Sequence, residues 1–367
     1  MAPLEPWEKV LVDAESFPET VHGQIPCTDC HNGVQDADKK IAHTDLIARP
    51  SDGPDSSCAE CHAEETEAHD SSLHHTQAGY WTVLASRGAS SEEPAMQEMF
   101  GNHCASCHTS CGDCHISQPA SVGGGLLDGH LFSAQASMSR TCTACHGSRV
   151  GEEYLGKHED LRPDVHFRQG RMTCVDCHSG EQMHGQTAEL TEGADPHRYA
   201  GQESPACQEC HPTVGDDGNL FHETHGERLA CQVCHSISYQ NCESCHVAIS
   251  EETGNPFFEV ESHWLTFLIG RNPRQSEARP YDYVTVRHVP IDRDSFAFYG
   301  DDLLPEFDTQ PTWRYATPHN IQRETPQTES CNACHGNPDL FLTIDKVAED
   351  ELQANEAVIV DSVPAER

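Results

Sequence analysis

The stretch NHCASCHTSCGDCHIS, residues 102–117, packs four cysteines and three histidines into sixteen positions. It contains two Cys-x-x-Cys-His units, and only Thr109 and Ser110 separate them. An extended chain covers at most about 3.6 Å per residue, so Cys104 and Cys111 lie within about 25 Å of each other. Whatever these two units bind must therefore be held side by side.

The same unit recurs along the whole chain of 367 residues. All 20 cysteines belong to Cys-x-x-Cys pairs, and a histidine follows every pair. The paired cysteines are Cys27 and Cys30, Cys58 and Cys61, Cys104 and Cys107, Cys111 and Cys114, Cys142 and Cys145, Cys174 and Cys177, Cys207 and Cys210, Cys231 and Cys234, Cys242 and Cys245, and Cys331 and Cys334. The motif histidines are His31, His62, His108, His115, His146, His178, His211, His235, His246 and His335.

Three uses of so many cysteines compete: disulfides, structural zinc and covalent haem. Zinc sites and disulfide frameworks do not require a histidine after every pair. Haem c attachment does require this histidine, because it binds the haem iron. One helical turn brings residues i, i+3 and i+4 to one face. Both sulfurs can then bond one porphyrin edge while the histidine reaches the iron. The sequence predicts ten covalently attached haem c groups, with the motif histidines as proximal iron ligands.

The opposite side of each iron needs a second ligand, and the sequence offers sixteen histidines outside the motifs. Histidine there gives a low-potential, six-coordinate haem, methionine raises the potential, and an open side permits substrate binding. Methionines are few, and we expect them to pack against porphyrin faces. The predicted distal ligands are His22, His43, His74, His130, His158, His166, His184, His197, His225 and His319. His75 and His103 adjoin other candidates and could be ligands or mere neighbours, while His69, His222, His263 and His288 are reserves.

The chain has about 37 residues for each motif, which is too few for a separate domain around each haem. With 26 glycines, 22 prolines and few periodic segments, it predicts a mostly irregular structure with short α-helices and little β-structure. We expect a multihaem cytochrome c fold packed around a chain of ten haems. The motif spacing also divides into two sets of five, each with a close pair, which either reflects a duplicated pentahaem unit or is coincidence.

Three regions are expected: residues 1–246 with nine motifs, residues 247–330 without any, and residues 331–367 with the tenth motif and an acidic tail. The middle region is rich in aromatic residues. In it, YDYVTVRHV alternates like a half-buried strand and SFAFYG is a candidate partner. This region could be a flap that covers haems or a docking surface. In the tail, residues 343–357 predict one amphipathic helix followed by a frayed end.

The formal net charge of −38 disfavours binding to nucleic acid or to an anionic membrane surface. No apolar stretch approaches the roughly 20 residues of a membrane span. The first residues lack the features of a signal peptide. Since haem attachment to this motif is extracytoplasmic, we expect a mature or trimmed form in the periplasm, at the cell surface or outside the cell.

With its ten motifs and surplus of histidines, the chain resembles the multihaem c-type cytochromes of anaerobic respiration and extracellular electron transfer. The resemblance covers residues 27–335 and implies electron transfer through a row of mostly bis-histidine haems. It also implies partners that are other redox proteins, copies of the same chain in a filament, or extracellular electron acceptors.

A different class remains open, namely a multihaem reductase of a small nitrogen or sulfur oxyanion. Such an enzyme needs one open iron face near cationic donors. The stretches 166–174 and 195–199 are where such donors would lie, although pairing with haem propionates is the favoured role of the arginines there.

Overall fold

The computed structural model describes residues 4–53, 56–158, 160–185, 205–216, 218–275, 279–289 and 292–367, with the backbone alone at 149, 240–245 and 260–265. Over these ranges the structure is mostly irregular, with short helices and little strand, which confirms the expected sparse secondary structure. Within these ranges the α-helices are α1 Cys27–His31, α2 Lys39–Ala42, α3 Ala63–His69, α4 Leu73–Thr76, α5 Ala78–Ala85, α6 Pro94–His103, α7 Cys111–His115, α8 Thr143–His146, α9 Glu152–Leu155, α10 Gly180–Met183, α11 Cys207–Cys210, α12 Leu220–His225, α13 Cys231–His235 and α14 Leu352–Asn355.

Single turns of other helix types connect these elements. The 3₁₀ turns are Glu8–Val10, Phe17–Glu19, His22–Gln24, Ser57–Glu60, Ala105–Cys107, Ala120–Val122, Cys174–Asp176, Phe307–Thr309, Pro326–Thr328, Cys331–Ala333, Pro338–Leu340, Ile344–Lys346 and Glu349–Glu351. Three π-helical turns are Met138–Cys142, Gly147–Gly151 and His166–Gly170. No helix in the described part of the chain has the length and apolar character that a membrane crossing needs.

Nine of the ten motifs lie on helical turns, as the i, i+3 and i+4 spacing of their cysteines and histidine predicts. The first, fourth and eighth motifs form α1, α7 and α13 from the first cysteine to the histidine. The ninth motif departs from the prediction: its backbone runs along a strand, β1, at Tyr239–Ile249. The antiparallel partner of β1 is β2, Pro256–Leu265, and their pairing shifts register between Glu243 and His246.

The chain divides into two compact units, each assembled from separate segments. The first unit comprises Met1–Gly79, Cys104–Gly147 and Thr173–Pro196, and it carries the first six motifs. The second comprises Tyr80–His103, Ser148–Met172 and His197–Arg367, and it carries the other four. This six-and-four partition differs from the five-and-five grouping that the motif spacing suggested.

The first unit has no hydrophobic core of its own among its described residues. None of the buried hydrophobic side chains of the described chain lies in its three segments. Its buried residues are polar instead, such as Ser72, Thr109, Ser110 and Asp113. Burial of apolar surface is the main favourable term in folding. The amino acids of this unit therefore lack the interior that would hold six motifs in place.

The second unit has a conventional core built on a three-stranded antiparallel sheet. Its strands are β3 Leu268–Arg271, β4 Tyr283–His288 and β5 Trp313–Tyr315, with β4 in the centre. Val284 and Val286 of β4 are fully buried. Gly270 of β3 lies where a Cβ atom would come within 2.8 Å of Val286 Cγ1, so the close approach of these strands depends on glycine.

The strand expected from YDYVTVRHV exists as β4, but the expected partner is wrong. Residues 293–299 of the SFAFYG region form turns, and β4 pairs instead with β3 and β5. Turn formation there is stabilised locally, because Ser295 Oγ donates to Asp292 O at 2.6 Å.

The prediction of one helix over 343–357 with a frayed end is also wrong. This segment contains two 3₁₀ turns and the four-residue helix α14. Beyond it, Val358 and Val360 are buried in the core of the second unit. The backbone N–H of Val360 donates to Leu342 O at 2.9 Å, and Val358 O accepts from Arg271 N at 2.9 Å. The apolar run near the end of the chain therefore behaves as an added core segment.

Candidate haem-binding sites

The motif geometry suits attachment of one group per motif. All eighteen cysteines whose side chains are described are free thiols, none of them in a disulfide. At the second, sixth, seventh and tenth motifs, the histidine N–H donates to the carbonyl of the first cysteine at 2.9 Å, which closes one helical turn. Two sulfurs and one imidazole are thus presented on one local surface.

Eight motif histidines have a second histidine ring, from outside the motifs, as a neighbour. Among the described residues, no motif histidine belongs to two such pairs, and no pair joins two motif histidines. The pairs and their ring-centre separations are His22 and His62 at 6.3 Å, His31 and His130 at 5.9 Å, His75 and His108 at 4.9 Å, His74 and His146 at 6.2 Å, His115 and His184 at 6.1 Å, His166 and His211 at 6.1 Å, His222 and His235 at 6.2 Å, and His225 and His335 at 6.3 Å.

Seven of these separations fall between 5.9 and 6.3 Å, which is the spacing that a shared metal ion requires. A bond between a metal and an imidazole nitrogen is about 2 Å long, so ring centres on opposite sides of one ion lie about 6 Å apart. Rings in direct van der Waals stacking approach more closely, as His22 does with Phe132 at 4.1 Å. The residues present therefore fit a bis-histidine iron site.

The third motif is the exception. His75 lies 4.9 Å from His108, and it also contacts His69 at 5.3 Å between ring centres. The ligand atoms of His69, Asp70 and His75 lie within 4.8 Å of one another, and in the described part of the chain no other such group occurs. This group contains no cysteine, so the zinc interpretation of the motifs gains no support from it.

Burial keeps many of these imidazoles neutral, the form in which they bind metal. It lowers the pKa of His74, His130 and His184, which lie opposite motif histidines. It likewise lowers the pKa of His146 and His235 within the motifs. Both members of the His74–His146 pair are therefore neutral near pH 7.

The ring orientation is fixed at several sites by a hydrogen bond from Nδ1. His31 donates to Ile47 O at 2.8 Å, and His115 donates to Ser133 O at 2.7 Å. His225, His235 and His335 donate to backbone carbonyls at 3.0 Å in the same way. Because Nδ1 carries the proton, Nε2 keeps its lone pair for a metal, as expected of a metal-ligating histidine.

Six of the ten predicted distal ligands thus lie opposite a motif histidine, and three other described ones, His43, His158 and His319, do not. His43 is exposed, and His158 Nε2 lies 3.3 Å from Glu152 Oε2. The backbone N–H of His319 donates to Glu153 Oε1 at 2.6 Å. His197 lies outside the described residues.

Two motif histidines have other neighbours. His178 Nδ1 is 3.1 Å from Gln182 Oε1, and His246 Nε2 is 3.4 Å from Glu259 Oε2.

Two distal candidates are missing from the predicted set, His75 and His222. His74 and His75 are consecutive on α4, so their side chains point about 100° apart and reach different motifs. His222 and His225 are three residues apart on α12 and serve the eighth and tenth motifs. Two histidines on one short helix, next to a region dense in motifs, are the signal that could have identified both.

Thiols of different motifs also touch one another. In the first unit, side-chain hydrogen bonds join Cys58 to Cys111, Cys142 to Cys174, and Cys107 to Cys145. These contacts link the second motif to the fourth, the fifth to the sixth, and the third to the fifth. In the second unit, Cys207 and Cys231 join the seventh motif to the eighth.

Further pairs of motifs are close enough for their thiols to interact electrostatically. Burial raises the pKa of Cys30, and the nearby Cys58 adds to this effect. Burial also raises the pKa of Cys114 and of Cys234 to about 11, with Cys142 and Cys334 as the respective neighbours. Within each unit the motifs whose cysteine side chains are described therefore form one connected network.

One buried cation in the second unit has no counter-charge among the described residues. The Arg87 side chain is 1% exposed, and its Nε and Nη1 atoms have no hydrogen-bond partner there. Its guanidinium lies 4.6 Å above the Phe307 ring, and burial followed by the charge of Arg314 lowers its pKa to about 10. Since an unpaired buried charge is costly, this site fits an anionic group such as a haem propionate.

Comparisons with known proteins identify no related protein. No protein-family model matches the chain, and no curated protein or solved structure is significantly similar to it. The sites described above therefore rest on the motifs and on the geometry of the side chains.

Proposed function

We propose that the chain carries electrons through ten covalently attached, mostly bis-histidine haem c groups outside the cytoplasm. The observation that supports this most directly is the set of eight histidine pairs, each joining one motif to one distal candidate. Haem c supplies reversible one-electron redox chemistry when bound, and two strong axial ligands leave no position for a substrate. This arrangement favours a carrier over an enzyme.

The contacts between motifs support transfer from one site to the next. Neighbouring cysteines are in hydrogen-bond contact, so the groups they would hold are adjacent. The protein's own contribution is to fix these positions, to keep the distal His74, His130 and His184 neutral through burial, and to orient motif histidines through their Nδ1 bonds. A chain that formed isolated sites would have no reason to bring thiols of different motifs together.

The acidic composition defines the kind of partner. With 60 acidic against 22 basic residues, the chain is suited to dock a cationic redox protein or surface. The partner is a redox protein, an extracellular acceptor, or a further copy of the chain in a filament. The reductase alternative is weaker at 166–174, because His166 lies opposite His211 instead of beside an open site. Residues 195–199 lie outside the described part of the chain.

Oxidised-state EPR with haem quantification tests the proposal. The expected result is ten haems per chain and a spectrum dominated by low-spin ferric iron. A strong high-spin signal that responds to nitrite or hydroxylamine, with turnover of either compound, would favour the reductase. A chain without covalent haem would rule out both functions.

A further inference from the structure

The acceptors of the Nδ1 hydrogens differ in charge from site to site. At His31, His115, His225, His235 and His335 the acceptor is a backbone carbonyl, and at His178 it is the Gln182 amide oxygen. At His166 it is the carboxylate of Asp164, with 3.0 Å between Nδ1 and Oδ1. Among the described residues this is the one Nδ1 atom in contact with a negatively charged group.

Asp164 is held rigidly in this position. Its side chain is 2% exposed. Oδ1 accepts from the His166 backbone N–H at 2.7 Å as well as from Nδ1, and Oδ2 accepts from the Ile321 N–H at 2.7 Å. All three partners are N–H donors, so the carboxylate acts as an acceptor only. A fixed and buried acceptor interacts more strongly than one in water, because the local dielectric constant is low.

A carboxylate bound to Nδ1–H raises the electron density of the imidazole and its strength as a ligand through Nε2. It also places a negative charge close to the metal, which disfavours the gain of an electron. A neutral carbonyl or amide acceptor has a weaker effect of both kinds. The iron held by the His166–His211 pair is therefore predicted to differ from the others through its outer ligand environment.

We propose that Asp164 is a positioning residue that lowers the reduction potential of the seventh haem site below that of the sites with neutral Nδ1 acceptors. This inference rests on the proposed function, because it requires haem between His166 and His211. The Nδ1 hydrogen stays in its bond to Asp164, so no proton is transferred. Since Cys207 contacts Cys231, an electron at the seventh site is biased to move to the eighth.

The test compares Asp164→Asn with the wild-type chain, both loaded with haem, by potentiometric titration monitored by optical and EPR spectroscopy. Asparagine keeps the size of the side chain and an oxygen acceptor but removes the charge. We expect one of the ten centres to become easier to reduce by about tenfold in its equilibrium constant, which is about 59 mV for one electron. That centre should stay low-spin, with altered EPR g-values.

The matched reverse variant is Gln182→Glu, which places a carboxylate beside Nδ1 of His178. It should make one centre harder to reduce by a similar factor. Should Asp164→Asn fail to load ten haems, Asp164→Ser and this reverse variant decide the question. Unchanged potentials in every variant that retains ten low-spin haems would overturn the role of Asp164. Loss of low-spin iron in Asp164→Asn without a shift in reduction potential would show that Asp164 has a structural role only. A wild-type chain that binds no haem would instead refute the proposed function.

Discussion

The absence of buried hydrophobic residues from the described part of the first unit leads to a quantitative prediction about the haem-free chain. Without an apolar interior, nothing offsets the conformational entropy that folding removes. We expect the chain, produced in cells that cannot attach haem, to leave its first unit unfolded. Amides of Cys27–His31 and Cys111–His115 should exchange within about tenfold of the unfolded rate, which corresponds to less than about 1.4 kcal/mol of protection.

The second unit should behave differently because its core is made of amino acids. Val284, Val286 and Leu342 are fully buried in one cluster with the end of the chain. A domain with such a core is stable by about 5 kcal/mol or more, so the amides of Leu268–Arg271 and Tyr283–His288 should exchange at least about a thousand-fold more slowly than unfolded ones. Hydrogen exchange followed by mass spectrometry measures both units in one sample.

A pair of leucine variants serves as the internal control in the haem-free chain. Leu342→Ala removes a side chain that is 0% exposed and should cost the second unit about 3 kcal/mol. Leu220→Ala removes one that is 69% exposed and should change little. The reasoning is refuted if the amides of the first unit are as well protected without haem as with it, because the polypeptide would then supply its own interior.

Three further predictions concern single side chains. His22→Ala should convert one haem from low-spin to high-spin in the EPR spectrum, while His43→Ala should convert none, because His22 lies opposite His62 and His43 is exposed; equal spectra for the two variants would contradict the assignment. Arg87→Met should stabilise the haem-free chain by about 1 kcal/mol but destabilise the loaded chain by about 3 kcal/mol, since on the proposed function a haem propionate would supply the anionic partner that the buried guanidinium otherwise lacks among the described residues. Denaturant unfolding that shows the same sign of change in both states would refute this pairing. Burial raises the pKa of Glu153 from 4.5 to about 8, so between these pH values the folded chain binds a proton that the unfolded chain has lost, and stability should fall as the pH rises. Glu153→Gln should remove on the order of 3 kcal/mol of the stability loss between pH 5 and pH 8. Identical pH profiles of stability for the variant and the wild-type chain would show that Glu153 is not protonated in the fold.

The motifs predicted the local structure well because their geometry is set within five residues. A cysteine, a second cysteine and a histidine at i, i+3 and i+4 need one helical turn, and nine motifs lie on such turns. The ninth departs because β1 pairs along its length with β2, and this pairing depends on residues up to 26 positions away, as between Tyr239 and Leu265. Local spacing does not encode such a partner.

The pairing of histidines and of strands that are far apart in the chain could not be predicted from the sequence for the same reason. His31 and His130 are almost a hundred residues apart, and His225 and His335 more than a hundred, so nothing in the intervening sequence indicates which distal histidine faces which motif. The strand at Tyr283–His288 was predictable from its alternation, but its partners β3 and β5 are chosen by core packing. Likewise, Val358 and Val360 are too few to indicate burial until Leu342 and Arg271 lie beside them.

The most direct test of the account is the intact mass of the full chain purified from cells that mature c-type cytochromes, measured together with its haem content. The account predicts one species that carries ten covalently attached haems, with one on each Cys-x-x-Cys-His unit. A colourless protein with the mass of the bare polypeptide and a folded first unit would contradict it.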